Sequence, residues 1–260
     1  MPGPAKTSEK IDGWNPIPDP DGLFSSGIAD FDRLLGGGFP RGSCALFSLD
    51  ETVGQEDLDL LLLPTFLNFL YQSRGIIATL PSRDSPHDFR TRLLRFVTRR
   101  RFDSRVRVVD FVREDEGLSY VVSLKVRNPA HHPLTPTEQK AGLEKALKAE
   151  KAAAGNRRKP WLELAAFEAL ETLVGVEAAM QMFYIGTKRS RQLGNLWVGL
   201  LSPGLGTAAA ARRMADTEFA LRHDEVGLVI RGVRPSFPSH LVISDSRAGP
   251  PRVTFVPRPP

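Results

Sequence analysis

Ser26-Gly27-Ile28-Ala29-Asp30-Phe31-Asp32-Arg33-Leu34-Leu35-Gly36-Gly37-Gly38-Phe39-Pro40-Arg41-Gly42-Ser43, followed at once by the apolar run Cys44–Leu49, decides how the rest of the chain reads. The glycines Gly36 to Gly38 suit a tight turn with positive φ, where a side chain would be strained. Pro40 and Gly42 then set the turn into a first β-type run. Outward from that run, short apolar stretches alternate with helical patterns. Residues 58–70 are strongly apolar and of helical length, with a kink expected at Pro64. Residues 76–80 are a second short run. Between 88 and 101, Phe89, Leu93, Phe96 and Val97 recur at helical spacing with arginines on the other face. Residues 106–112 are a third strand candidate. This β-α-β-α-β order predicts a parallel sheet covered by helices.

The alternation then breaks. Residues 113–160 are polar and charged, and their helical pattern at 137–154 has only Leu143 and Leu147 as large apolar groups. So polar a helix cannot bury a full face, so the segment reads as an exposed insertion or an element that waits for a partner. A strand at 161–166, a helix at about 168–191 and a strand at 196–201 resume the pattern. Short runs at 218–221, 227–230, 240–243 and 253–256, with turn signals between them, predict closely spaced antiparallel strands.

Composition bounds the class. The chain has 260 residues, 41% hydrophobic and 25% charged, which excludes a wholly disordered or collagen-like protein. That length suits one domain with an insertion. The expected organisation is a flexible lead at 1–22, a domain at 23–256 interrupted at about 113–160, and a loose Pro-rich tail at 257–260. The net charge of +5 and pI near 9.5 are compatible with a polyanionic partner without requiring one. A single cysteine, Cys44, excludes a disulfide framework and fits a reducing compartment. No stretch is long and apolar enough to span a membrane, and the first residues hold no apolar signal core, so the expected location is the cytoplasm, with no membrane partner.

The quoted stretch closely resembles the opening of RecA-fold ATPases of the KaiC type, which reads roughly T-G-I-x-x-[LF]-D-x-L-L-G-G-G-x-P-x-G-S, then a strand, then the phosphate loop. The resemblance runs over about residues 23–243 with 113–160 unmatched. It implies a RecA-like P-loop NTPase fold: a mostly parallel central sheet flanked by helices, with antiparallel strands at the C-terminal end. It also implies a phosphate loop, G-x-x-x-x-G-K-[ST], whose amides cradle phosphate while Lys neutralises it and the hydroxyl holds Mg²⁺. The aligned residues are Leu49-Asp50-Glu51-Thr52-Val53-Gly54-Gln55-Glu56. Of that pattern only Gly54 survives; Gln55 replaces the Lys and Glu56 the hydroxyl residue. Asp50, Glu51, Glu56 and Asp57 put carboxylates where a triphosphate would lie, and acids at a helix N-terminus satisfy its dipole themselves.

The family's Asp-Ser strand end aligns with Ala165-Ala166, with Glu163 or Glu168 as shifted substitutes, and Asp84 is the one acid near the family's water-activating pair. These departures imply a degenerate Walker A and Walker B, a pseudo-ATPase without catalytic residues, and no cofactor, with ATP disfavoured. The implied role is a regulatory or assembly subunit in DNA repair or recombination, its partners itself or a paralogous RecA-fold subunit, with DNA or RNA as a further partner. The alternative is an ATP-binding switch that uses the altered loop. Residues 214–221 and 228–235 also resemble the family's C-terminal strands, where basic residues of ring-forming relatives reach a neighbour's nucleotide; Arg231 and Arg234 are the nearest equivalents. Arg92, Arg95, Arg99 and Arg101 lie in the densest basic stretch, at 90–107, which suits phosphate contacts without base stacking. A solvated helix face explains the same stretch. His131-His132 has no third ligand at a metal-site spacing. The glycine-rich stretch 202–206 is a weak ligand-loop candidate, and Cys44 reads as a buried, inert thiol.

Overall fold

The computed structural model describes residues 14–110, 119–123, 159–245 and 251–258. The motif that opens the sequence forms a small cap: β1 (Leu23–Phe24) pairs antiparallel with β2 (Phe39–Pro40), and α1 (Ala29–Leu34) lies between them. Asp32 ties the cap together. Its carboxylate accepts from the Ser26 amide at 2.7 Å and the Ser25 hydroxyl at 2.5 Å. Burial raises the Asp32 pKa, and those hydrogen bonds oppose the shift.

The chain then alternates as the pattern requires. β3 (Cys44–Leu49), α2 (Gln55–Tyr71), β4 (Ile76–Thr79), α3 (Pro86–Leu94), α4 (Arg99–Arg105), β5 (Val106–Asp110) and β6 (Val121–Ser123) form the first half. β7 (Leu162–Ala166), α5 (Phe167–Leu193), β8 (Leu196–Leu201), α6 (Ala208–Met214) and strands β9 (Thr217–His223), β10 (Leu228–Arg234), β11 (Ser236–Asp245) and β12 (Arg252–Pro257) follow. Ten strands make one sheet in the order β12-β11-β10-β9-β3-β8-β7-β4-β5-β6. From β9 to β6 every pairing is parallel, and from β9 to β12 every pairing is antiparallel. β3 and β8 lie mid-sheet and are apolar on both faces, as strands covered on both sides must be. Ala45, Phe47 and Leu49 join the core beside α2, and Cys44 and Leu46 join the one beneath α5. Cys44 is buried and desolvation pushes its thiol pKa well up, so the expectation of an inert thiol agrees with its surroundings.

Several boundaries differ from the sequence reading. α2 starts at Gln55 and continues through Pro64, where the sequence led us to expect a kink. The expected helix at 88–101 is two helices: the Thr98 side chain accepts from the Arg101 amide and starts α4 as a new helix. α5 likewise has two helical stretches that meet at Gly175, whose φ is +81°. Part of the supposed polar insertion belongs to the sheet. β6 pairs with β5, and Tyr120 beside it is buried against Phe102, which adds an edge to the core rather than an exposed excursion. The helix expected at 137–154 and the His131-His132 pair lie outside the described residues.

Both expected loose ends are tethered where they are described. The Ile17 amide donates to Asn68 Oδ1 at 2.8 Å and the Gln72 side-chain amide donates to Ile17 O at 3.0 Å, while Asp19 pairs with Arg74. Arg74 in turn lies over the rings of Phe24 and Phe69. At the other end Pro257 is part of β12 opposite His240, and the Arg258 amide reaches Ser239 O. Among the described residues no helix is long and apolar enough to cross a membrane.

Candidate functional site

The stretch that aligns with a phosphate loop runs from the end of β3 to the start of α2, at the C-terminal edge of the parallel strands. Its backbone closes on the molecule's own groups. The Asp50 amide donates to Leu221 O at 3.0 Å, and the Val53 amide donates back to Asp50 O. Asp50 Oδ1 accepts from the Thr52 amide at 3.1 Å and its hydroxyl at 2.9 Å, which holds the Asp50 carboxyl below the usual carboxylate range. Gly54 is the N-cap of α2, and its amide donates to Asp57 Oδ2 at 2.7 Å. The same oxygen meets His223 Nε2 at 3.0 Å, and the His223 amide donates to Thr52 Oγ1. Asp57 therefore occupies the position at the helix N-terminus where the dipole favours an anion. Gln55 turns along the helix to donate to Asp59 Oδ1 at 3.0 Å, and Glu56 is exposed. Arg83 caps the loop from outside through Val53 O at 3.1 Å.

The other acids that the sequence singled out are placed as follows. Asp84 is gripped by Arg92 through two hydrogen bonds of 2.9 and 2.5 Å, and Arg92 Nε reaches Asp59 at 2.9 Å. A carboxylate so clamped is engaged as a structural ion pair. Glu168 accepts from the Ser82 amide at 2.9 Å and thereby ties the β4–α3 loop to the start of α5. Glu163 lies on β7 opposite Trp197 of β8 and faces α5, three residues before the strand ends at Ala166. Desolvation pushes its pKa up to about 7, and the hydrogen bond with Trp197 opposes that rise. Ala165 and Ala166 are buried at the strand end itself.

The arginines divide into two groups. Arg92 is locked between Asp59 and Asp84, and Arg101 lies 4.1 Å over the Tyr71 ring. Arg105 donates to Ser73 O, Arg107 to Asp103 O, and Arg90 covers the rings of Phe102 and Tyr120. Most of these guanidinium groups fasten α3 and α4 to the core. Arg95, Arg99 and Arg100 remain exposed, with Arg99 in an i,i+4 pair with Asp103. Arg234 donates to Ala215 O, whereas Arg231 faces a cleft of about 360 Å³ lined also by Ser48, Asp50, Ala220, Arg222 and Val229. The structure thus separates Arg231 from Arg234. Replacing Arg92 with Ala leaves Asp59 and Asp84 facing each other uncompensated; the expected loss is about 2 kcal/mol of unfolding free energy in urea titrations, and an unchanged midpoint would refute the clamp.

His223 and Asp59 escaped the sequence reading. Asp57 and His223 stand 166 positions apart, so no local spacing announces their contact. Among the described residues no group of three or more metal-ligating side chains gathers. The loop therefore leads into a helix whose first residues are Gln55 and Glu56 and whose N-terminus is occupied by the Asp57 carboxylate.

Comparison with known proteins adds two kinds of likeness. A family model described as "GvpD basic region 2" matches residues 13–116, which span the cap, the loop and the arginine-rich helices. Protein GvpD1 of Halobacterium salinarum is 38% identical over 73 residues, 28% of this chain and 14% of its own. Protein GvpD2 of the same organism is 31% identical over 97 residues, 37% of this chain and 20% of its own. The aligned part is thus a small fraction of these relatives' length. Among solved structures, a KaiC-like protein from the archaeon Pyrococcus horikoshii superposes with a TM-score of 0.61 at 15% identity, over 92% of this chain and all of that one. An uncharacterised protein of the same organism, solved with an unknown peptide, gives 0.59 at 14% identity, over 89% of this chain and 99% of that one. The fold is that of the KaiC-like RecA proteins.

Proposed function

We propose that this chain is a regulatory RecA-fold protein that works by binding partners and does not turn over nucleotide. The supporting observation is the self-capped loop: Asp57 holds the Gly54 amide and the His223 ring where a nucleotide phosphate would have to lie. Binding ATP there would require displacing a carboxylate from its hydrogen bonds and bringing a triphosphate beside Asp50, Glu51, Glu56 and Asp57. Unit charges of like sign a few ångströms apart repel by about 1 kcal/mol even in water, and by more beside a protein surface. The GvpD likeness supports a regulatory role. Neither it nor the KaiC-like structures carries the DNA repair or recombination role that the sequence raised.

The partners of this reading are a second copy or a paralogous RecA-fold subunit. DNA or RNA would meet the exposed Arg95 and Arg99, not the fastened Arg92 and Arg101. The decisive experiment is calorimetry with ATP and Mg²⁺. The expected result is no heat of binding below a Kd of about 1 mM. Micromolar binding that disappears in Gln55→Ala or Glu56→Ala would overturn the proposal and establish the altered loop as a nucleotide switch.

A further inference from the structure

Strands β9 to β12 bury mainly one face; on the other, Glu218 and Val229 are also buried. Phe219, Ile230, Phe237, Val242 and Phe255 pack toward α1 and α2, with Phe31 stacked on Phe255. The core beneath α5 and α6 draws on β3, β7 and β8 and contains no residue of β10, β11 or β12. Among the described residues, α6 reaches this other face at β9, where Arg212 pairs with Glu218, and the core beneath α5 and α6 does not extend over β10 to β12.

That face has an ordered surface. Register sets Arg222, Val229, Leu241 and Val256 side by side across the four strands. Ile243 lies two residues beyond Leu241 and shares its face, as the period of a strand requires. Ile243 is 47% exposed and Val256 is 41% exposed, so the outer end of this row, beside the half-buried Leu241, leaves apolar surface in water. Beside the stripe the surface dips into the cleft of about 360 Å³, where two arginines, the exposed Arg222 and Arg231, outnumber the one carboxylate, Asp50.

We propose that this sheet face is a docking surface for an acidic amphipathic segment of another protein, its apolar side chains on Leu241, Ile243 and Val256 and its carboxylates on Arg222 and Arg231. Charge selects this occupant. Nucleic acid would find cations but no aromatic ring on which to stack, and the aliphatic stripe would remain wet. An acidic amphipathic partner covers the stripe and pairs both guanidinium groups. The proposal rests on the reading of the chain as a partner-binding protein, yet the two fail separately: ATP binding would end the non-catalytic reading and leave this face as described.

The test uses the whole 260-residue chain and a fluorescently labelled helical peptide with leucines along one face and glutamates elsewhere. The comparison is a peptide of the same composition in scrambled order. Fluorescence anisotropy should show saturable binding of the first peptide and at least tenfold weaker binding of the second. Ile243→Asp or Val256→Asp, both at exposed positions that leave the core intact, should each weaken binding about tenfold, as should Arg231→Glu, and added salt should weaken it further. Absence of binding, or binding indifferent to all three substitutions, overturns the proposal. So does sedimentation that shows self-association abolished by Ile243→Asp, because the occupant is then a second copy.

Discussion

Replacing Gly38 with Ala is expected to cost about 3 kcal/mol or more of folding stability, whereas Gly36→Ala should cost only about 1 kcal/mol. Both glycines have positive φ, +133° at Gly38 and +73° at Gly36, so both substitutions strain the backbone. Only Gly38 is also packed against backbone. A methyl group there would lie 2.3 Å from the carbonyl oxygen of Phe24 and 2.9 Å from its carbon, while nothing lies within 4 Å of one at Gly36. Relief would need β1 to move away from β2, and Phe24 is held between Phe69 and the Arg74 guanidinium. Urea unfolding of the two variants, measured side by side, checks this difference. Equal losses at the two positions would refute the close approach of the glycine turn to β1.

The second large effect is a dependence on pH. The Glu163 carboxyl has a folded-state pKa near 7 against an ordinary value of 4.5, because its site under α5 removes water from the charged form. A raised carboxylate pKa means that the folded chain holds the proton more tightly than the unfolded chain. Its contribution is therefore fully favourable below pH 4.5, is lost progressively as pH rises from 4.5 to 7, and stays lost above that. The whole change is on the order of 3 kcal/mol. Glu163→Gln keeps the shape and the acceptor for the Trp197 indole and carries no titratable proton. The variant should match the parent near pH 4, exceed it by about 3 kcal/mol at pH 8, and lack the slope between. Denaturant midpoints across this range, with Trp197 fluorescence as a local reporter, make the comparison. A parent and variant that remain parallel from pH 4 to pH 8 would show that Glu163 stays ionised in the fold.

Much of the architecture was legible along the chain, for a local reason. Apolar runs such as Cys44–Leu49 and Leu196–Leu201 are buried on both faces, and only central strands of a covered sheet ask for that. The glycine motif and the antiparallel tail were equally readable, since turns and alternation are short-range properties. Helix boundaries were less so. Pro64 sits inside α2 although the residue itself disfavours that position, and its helix is embedded in the largest core cluster, which overrides the propensity. The break before α4 came from the Thr98 cap, visible in sequence only to a reader who already doubted the long helix.

The candidate loop divides along the same line. Its residue types, Gln55 and Glu56 at the start of the helix after the first core strand, are read directly from the chain, because spacing from that strand needs no third dimension. What fills the helix N-terminus was decided by the tertiary structure. Strand β9 lies against β3 and brings His223 to Asp57 across 166 residues of chain. The arginines show the same division. Their number and order are written in the chain, but a guanidinium on a surface and one clamped between Asp59 and Asp84 have the same letter. Charge is a property of the residue; its availability depends on which carboxylates and rings the fold places within a few ångströms of it.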